Sequence, residues 1–108
     1  MTVRNGPAVT DQDLDQLSAL FRLLSDRTRL SILLKLAAGE RNVTTLCEEL
    51  GLPQPTVSHH LALLRMSNMV ENRRSGKQVF YTLNSAPNTE NDGALAFAVP
   101  NFLVRIGQ

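Results

Sequence analysis

Apolar residues recur at helical spacing in four stretches of the chain, and residues that start or end helices bound these stretches. The predicted helices are Asp11–Leu24, Arg27–Ala38, Val43–Leu50 and Gln54–Met66. Ser25 or Asp26 can cap the second helix. Gly39, Gly51 and Asn68 follow the second, third and fourth helices, and glycine and asparagine enter the left-handed conformation that closes a helix most readily. The pattern therefore predicts a mainly helical domain up to residue 68.

The first two helices carry wide apolar stripes. The inward positions are predicted to be Leu14, Leu17, Phe21 and Leu24 in the first helix, and Leu30, Leu33, Leu34 and Ala37, widened by Ile32 and Leu36, in the second. The helix Asp11–Leu24 and the apolar C-terminal segment Ala94–Ile106 have more apolar residues than one small core covers. Excess apolar surface favours the association of two copies, so we expect a homodimer.

The third and fourth helices are separated by a turn of three residues that contains Gly51. Two helices joined in this way form a helix-turn-helix, and the second should be about 20 Å long, enough to lie across a major groove. Its outward face begins with side chains that suit base edges and phosphates, namely Gln54, Thr56, Ser58 and His59. An ordinary helical hairpin with a polar face is the alternative at this point.

Two alternating runs follow the fourth helix, Met69–Arg74 and Val79–Leu83, and a short glycine-containing loop separates them. This pattern predicts a β-hairpin. Residues 51–84 hold four basic residues against Glu71, a local net charge of +3 in a chain whose total is +1. The basic residues are Arg65, Arg73, Arg74 and Lys77. A basic hairpin beside a helix-turn-helix is typical of a wing, so the predicted fold is α+β, mainly α: a winged helix-turn-helix with a β-hairpin wing.

The two ends of the chain are predicted to lie outside this DNA-binding unit, which spans residues 11–84. Residues 1–10 are expected to be a flexible N-terminus. Residues 85–108 are expected to be a polar linker and an apolar segment for dimerisation or packing. The apolar segment fits either a helix or a second hairpin, and Pro100 favours the hairpin because proline costs about 3 kcal/mol in a helix interior. Val99–Phe102 would then form the turn.

Composition and residue types limit the other function classes. At 108 residues the chain is one domain, and no apolar run approaches the roughly 18 residues of a membrane span. A single cysteine and an N-terminus without a signal pattern fit a cytoplasmic protein. His59 and His60 are adjacent and diverge by about 100° on a helix, so they cannot chelate one ion together. Because no nucleophile has an orienting base and no glycine loop cradles a phosphate, we predict no enzyme and no cofactor.

Three strings of the sequence carry a family resemblance: LSDRTRLSILLKL, LCEELGLPQPTVSHHLALLRMSNMV and RRSGKQVFYTL. With them, the stretch from Leu20 to Leu83 resembles the ArsR/SmtB family of winged-helix transcriptional repressors. The resemblance implies a homodimer that binds a near-palindromic operator and leaves the DNA when an effector binds. It also implies that the helix Gln54–Met66 enters the major groove while the hairpin tip contacts the flanking backbone.

Two departures from the family pattern concern metal sensing. Relatives that sense arsenic or cadmium carry a Cys-x-Cys pair at the positions of Asn42 and Thr44. Relatives that sense zinc or nickel use Asp and His on a C-terminal helix, and the C-terminal segment of this chain has no histidine. Cys47 remains, but its place in an apolar stripe indicates a core residue. We therefore expect neither kind of metal site.

The sequence thus predicts a sequence-specific regulator of transcription that binds double-stranded DNA, a homodimeric repressor of an operon. Base reading is assigned to Thr56, Ser58 and His59, with Gln54 at the rim, and phosphate contacts are assigned to Arg65, Arg73, Arg74 and Lys77. One alternative is a winged helix that binds a protein, which the clustered basic residues disfavour. The other is a repressor with Cys47 as a redox switch, which requires an exposed and reactive thiol.

Overall fold

The computed structural model describes residues 2–5, 10–84, 95–99 and 102–106. Within these residues, helices and strands follow one another along the chain. They are β1 (Thr2–Asn5), α1 (Asp11–Leu24), α2 (Arg27–Ala37), β2 (Arg41–Asn42), α3 (Val43–Leu50), α4 (Gln54–Met66), β3 (Val70–Ser75), β4 (Gln78–Leu83), β5 (Leu95–Val99) and β6 (Phe102–Ile106). The predicted bounds of α1, α3 and α4 are confirmed, and α2 ends one residue before its predicted end. None of these helices is long and apolar enough to span a membrane.

Polar side chains cap the first three helices. Thr10 and Asp13 form a capping box at α1, in which each side chain accepts a hydrogen bond from the backbone N–H of the other residue. Asp26 at α2 and Asn42 at α3 each accept a hydrogen bond from the backbone N–H three residues later. These bonds satisfy N–H groups that the helix itself leaves without a partner.

Three residues with left-handed backbone conformation lie where the chain changes direction. Gly51 ends α3 with φ of +66°, and Asn68 follows α4 with φ of +60°, so both occupy the conformation that their residue types predict. Gly76 has φ of +62° at the first position of the two-residue turn between β3 and β4. Glycine at this position is typical of a type II′ hairpin turn.

The helices and the start of β3 share one hydrophobic core. Its buried residues are Leu20, Leu24, Ile32, Leu33, Leu36, Leu46, Val57, Leu61, Leu64 and Val70. The prediction that Leu14 and Leu34 face inward is wrong, because their side chains are 53% and 54% exposed. At about 100° per residue, Leu34 lies on nearly the opposite side of α2 from Ile32 and Leu36. Leu14 lies in the first part of α1, ahead of the buried Leu20.

A three-stranded antiparallel sheet forms the wing, with β4 between β2 and β3. Val70 pairs with Leu83 at its base, and Gly76 and Lys77 form the turn at its tip. The predicted hairpin is confirmed. The third strand, β2, was not predicted, because it is two residues long and its pairing with β4 crosses more than thirty residues of sequence.

The ends of the chain form a second antiparallel sheet in the order β1-β6-β5. Val99 pairs with Phe102 in the β5–β6 hairpin, which confirms the second hairpin against the alternative of a helix. The predicted turn residues 100–101 and the linker 85–94 lie outside the described residues. Thr2–Asn5, expected in a flexible N-terminus, instead pairs with β6, whose free edge supplies hydrogen-bond partners for its backbone.

Candidate nucleic-acid interface

Helix α4 turns one face to the core and the other to solvent. Val57, Leu61 and Leu64 are fully buried, which fixes the rotation of the helix about its axis. Of the four polar residues predicted on the outward face, Thr56 is half-buried and the other three are exposed. The exposed residues are Gln54, Ser58 and His59. The N-terminal half of α4 therefore exposes three of the four polar side chains that the sequence places on its outward face, and Thr56 is partly covered.

The start of α4 differs from the starts of α1, α2 and α3, because no side chain caps it. Pro53 occupies the cap position and offers no side-chain acceptor, and Pro55 in the first turn has no N–H. The backbone N–H groups of Gln54 and Thr56 are thus left without a capping acceptor. Such groups, at the positive end of a helix dipole, favour an anion such as a DNA phosphate.

His60 on α4 faces α2. Its Nδ1 lies 3.4 Å from Nη1 of Arg29, and because arginine can only donate, Nδ1 is the acceptor. Arg29 also donates from Nε to the carbonyl of Leu23 at 2.7 Å. The ring of His59 lies edge-on to that of His60, with 5.5 Å between the centroids, and remains exposed. The two histidines therefore diverge as expected, one towards the protein and one towards solvent.

The predicted phosphate-binding residues lie along the far end of α4 and on the wing. Arg65 is exposed in the last turn of α4 and lines a shallow pocket with Glu71 and Asn72 at the start of the wing. It lies about 16 Å from Gln54 along the helix axis, at about 1.5 Å per residue. Arg74 and Lys77 are exposed, and among the described residues neither has an ion-pair partner. Their charges are therefore available to a ligand.

Arg73 is exposed but already engaged. Its Nη2 and Nε donate to the two carboxylate oxygens of Glu40 at 2.8 and 2.9 Å, and its guanidinium lies 4.7 Å from the centroid of the Phe80 ring. The hydrogen bond between the two side chains raises the pKa of Arg73 and lowers the pKa of Glu40. Sequence reasoning missed this pair, since Glu40 is 33 residues away and precedes a strand that the sequence did not predict.

The family resemblance implies that thiolate-bearing relatives place ligands at the positions of Asn42 and Thr44, and these two residues have other surroundings here. Asn42 caps α3 and also donates from Nδ2 to Oε1 of Gln78 on β4 at 3.1 Å, while Thr44 is exposed. Cys47 is half-buried against the hydrophobic core. Within the part of the chain that the structure describes, no group of three or more His, Cys, Asp or Glu side chains could hold a metal ion.

Comparisons with known proteins agree with this geometry. Residues 26–72 match the family described as bacterial regulatory protein, arsR family. The chain is 47% identical over 66 residues to the HTH-type transcriptional regulator KmtR of Mycobacterium tuberculosis, a match that covers 61% of this chain and 51% of the relative. It is 38% identical over 84 residues to the biofilm growth-associated repressor of Xylella fastidiosa, covering 74% of each chain. This chain therefore spans about half the length of the first relative and three quarters of the second.

A solved structure supports the same assignment of fold. The homodimeric winged helix-turn-helix DNA-binding domain of Mb0332 from Mycobacterium bovis, described as a possible ArsR-family transcriptional regulator, superposes with a TM-score of 0.63. It shares 31% sequence identity, and the match covers 74% of this chain and 77% of that domain. The helix-turn-helix and the wing thus form a known DNA-binding architecture.

Proposed function

Because the chain belongs to the ArsR family of bacterial regulatory proteins, we propose that it is a sequence-specific, DNA-binding repressor of transcription that acts as a homodimer. The observation that carries the proposal is the exposed polar face at the start of α4, in the same unit as a basic wing. Residues 11–84 form the DNA-binding unit of this proposal, and the protein acts in the cytoplasm, where it meets double-stranded DNA. It needs no cofactor and no catalytic residue for this role.

In this proposal, one set of side chains contacts the bases of the DNA and a second set contacts its phosphates. The base-reading set lies on α4, where the major groove receives a helix. It consists of Thr56, Ser58 and His59, with Gln54 at the rim. The phosphate-binding set fixes the register of the protein on the duplex and carries no sequence information. It includes Arg65, Arg74 and Lys77, whereas Arg73 is already engaged by Glu40.

A homodimer carries two copies of the candidate DNA-binding face. The relative from Mycobacterium bovis is a homodimer, and Leu14 is an exposed apolar side chain on α1, outside the core that the described residues form. A dimer with two-fold symmetry places two copies of α4 on one duplex, so the operator should be near-palindromic with half-sites about one helical turn apart.

No observation favours a winged helix that binds a protein, or a repressor with Cys47 as a redox switch. The relatives reported above are regulators or repressors of transcription, which supports DNA as the partner instead of a protein. Cys47 packs against the core, which disfavours a freely reactive thiol.

The direct test is binding to DNA from the region upstream of the protein's own coding sequence, because repressors of this kind often control their own transcription. A labelled fragment and a shuffled fragment of equal length are titrated at two salt concentrations, and the stoichiometry is measured by light scattering. We expect tighter binding to the upstream fragment, a loss of affinity on both fragments at high salt, and two chains per fragment. Equal affinity for the two fragments, or a monomer on the DNA, contradicts the proposal.

A further inference from the structure

One face of the wing sheet carries a row of side chains that crosses all three strands. Arg73 on β3 is opposite Phe80 on β4, and Phe80 is opposite Asn42 on β2, so the three side chains share a face. Glu40 immediately precedes β2, two residues before Asn42, and so lies at the edge of the same face. The opposite face holds Val70, which packs into the core.

The guanidinium of Arg73 spans this row. It lies over the ring of Phe80 on the central strand and reaches Glu40 on the far side with two parallel hydrogen bonds. A planar guanidinium that meets a carboxylate in this two-bonded geometry is held more firmly than an average surface ion pair, and the aromatic ring adds a cation–π contact. The contacts tie β3 of the wing to the segment between α2 and β2.

A second link runs beside the first. Asn42 accepts a hydrogen bond at Oδ1 from the N–H of Thr45, which caps α3, and donates from Nδ2 to Gln78 at the tip end of β4. The start of the first helix of the helix-turn-helix is therefore fixed to the wing on the same face of the sheet as the Arg73 and Glu40 pair. The two links thus connect β3 and β4 of the wing to the residues between α2 and α3.

We propose that Glu40 and Arg73 form a brace that positions the wing for DNA, so that Arg73 is a positioning residue and the neighbouring Arg74 and Lys77 contact phosphates. The inference rests on the proposed function. Its physical basis is that a wing already ordered in the free protein does not lose further conformational freedom on binding. Arg74 follows Arg73 on the strand, so its side chain points to the opposite face, and it has no ion pair among the described residues.

A positioning role of the brace and simple electrostatic repulsion predict opposite effects of Glu40→Gln on the affinity for DNA. Removing a negative charge near DNA strengthens binding if Glu40 only repels phosphates or withholds Arg73 from them. If the brace positions the wing, the variant binds the upstream fragment about fivefold more weakly, with the slope of log affinity against log salt unchanged. Fluorescence anisotropy at several salt concentrations measures both quantities, and a thermal melt of each variant confirms that it is folded.

Arg73→Lys separates the geometry of the contact from its charge, with Arg27→Lys as a matched control at an exposed arginine on α2 that has no ion pair among the described residues. Lysine keeps the positive charge but has no planar fork for a two-bonded carboxylate. We expect Arg73→Lys to weaken binding about as much as Glu40→Gln does, and Arg27→Lys to bind nearly as well as the wild type. Glu40→Gln combined with Arg73→Lys should be no weaker than either single variant, since both remove the same contact.

The proposed brace is contradicted if Glu40→Gln binds as tightly as the wild type or more tightly, or if Arg73→Lys and Arg27→Lys behave alike. These results are distinct from a failure of the proposed function, because in that case the wild type itself does not prefer the upstream fragment.

Discussion

Single polar side chains at helix starts link parts of the molecule that are distant in sequence. Asp26 caps α2 by accepting from the N–H of Arg29 at 3.0 Å, and the side chain of Arg29 in turn faces His60 on α4. The cap could be predicted, because aspartate before an apolar helix is a local signal. The contact between Arg29 and His60 could not, since it joins residues 31 positions apart and depends on how α2 and α4 cross.

The cap at Asp26 predicts a pH-dependent stability. Asp26→Ala should lower the free energy of unfolding by about 1 kcal/mol at pH 7, because α2 loses its side-chain cap. Asp26→Asn keeps the acceptor without the charge and should lose less. The hydrogen bond from the Arg29 N–H is the main cause that lowers the pKa of Asp26. A carboxyl with a lowered pKa stabilises the fold above its unfolded pKa, and this contribution is lost as the pH falls through the folded pKa.

The wild type and Asp26→Asn should therefore differ in unfolding free energy at pH 7. This difference should shrink as the pH falls below about 4. Urea titrations at pH 7 and pH 3 measure it, with Asp15→Asn on the exposed surface of α1 as a control for net charge. A difference of the same size at both pH values would show that the charge of Asp26 does not contribute.

At the scale of elements, helix α4 and the wing sheet are held on one core by different residues. Val57 and Leu61 anchor the helix, and Val70 anchors the wing. The helices were predictable because apolar spacing and capping residues agree at their ends. The C-terminal hairpin was predictable because Pro100 opposes a helix. Strand β2 was not, because two residues carry no periodic signal and the strand exists only through its partner β4.

Helix and wing should contribute differently to DNA binding. His59→Ala removes a candidate base contact, so discrimination between the upstream and the shuffled fragment should fall by about 1–3 kcal/mol. Lys77→Ala removes a phosphate contact, so affinity should fall alike on both fragments and the salt slope should decrease by about one unit. Salt titrations on both fragments measure the two effects side by side. If both variants weaken operator and shuffled DNA to the same extent, this division between helix and wing is wrong.

At the scale of the whole molecule, the two ends of the chain meet in one sheet, where Thr2 pairs with Arg105 and Asn5 with Phe102. This sheet was only partly predictable. The pattern of the C-terminal segment allows a hairpin, but four residues at the N-terminus give no signal of a strand, and their pairing crosses nearly the whole chain. The candidate site was predictable as a surface, since its side chains follow from helix rotation. The engagement of Arg73 by Glu40 was not, because it depends on the folded sheet.

The central claim is that the start of α4 and the tip of the wing together contact DNA. Backbone amide NMR spectra of the protein, recorded free and with the upstream fragment, test it most directly. We predict the largest shift changes at residues 54–59 and 74–77, including the uncapped N–H groups of Gln54 and Thr56, which should also exchange more slowly with water. Shift changes confined to α1, α2 or the terminal sheet, with α4 and the wing tip unchanged, would contradict the account.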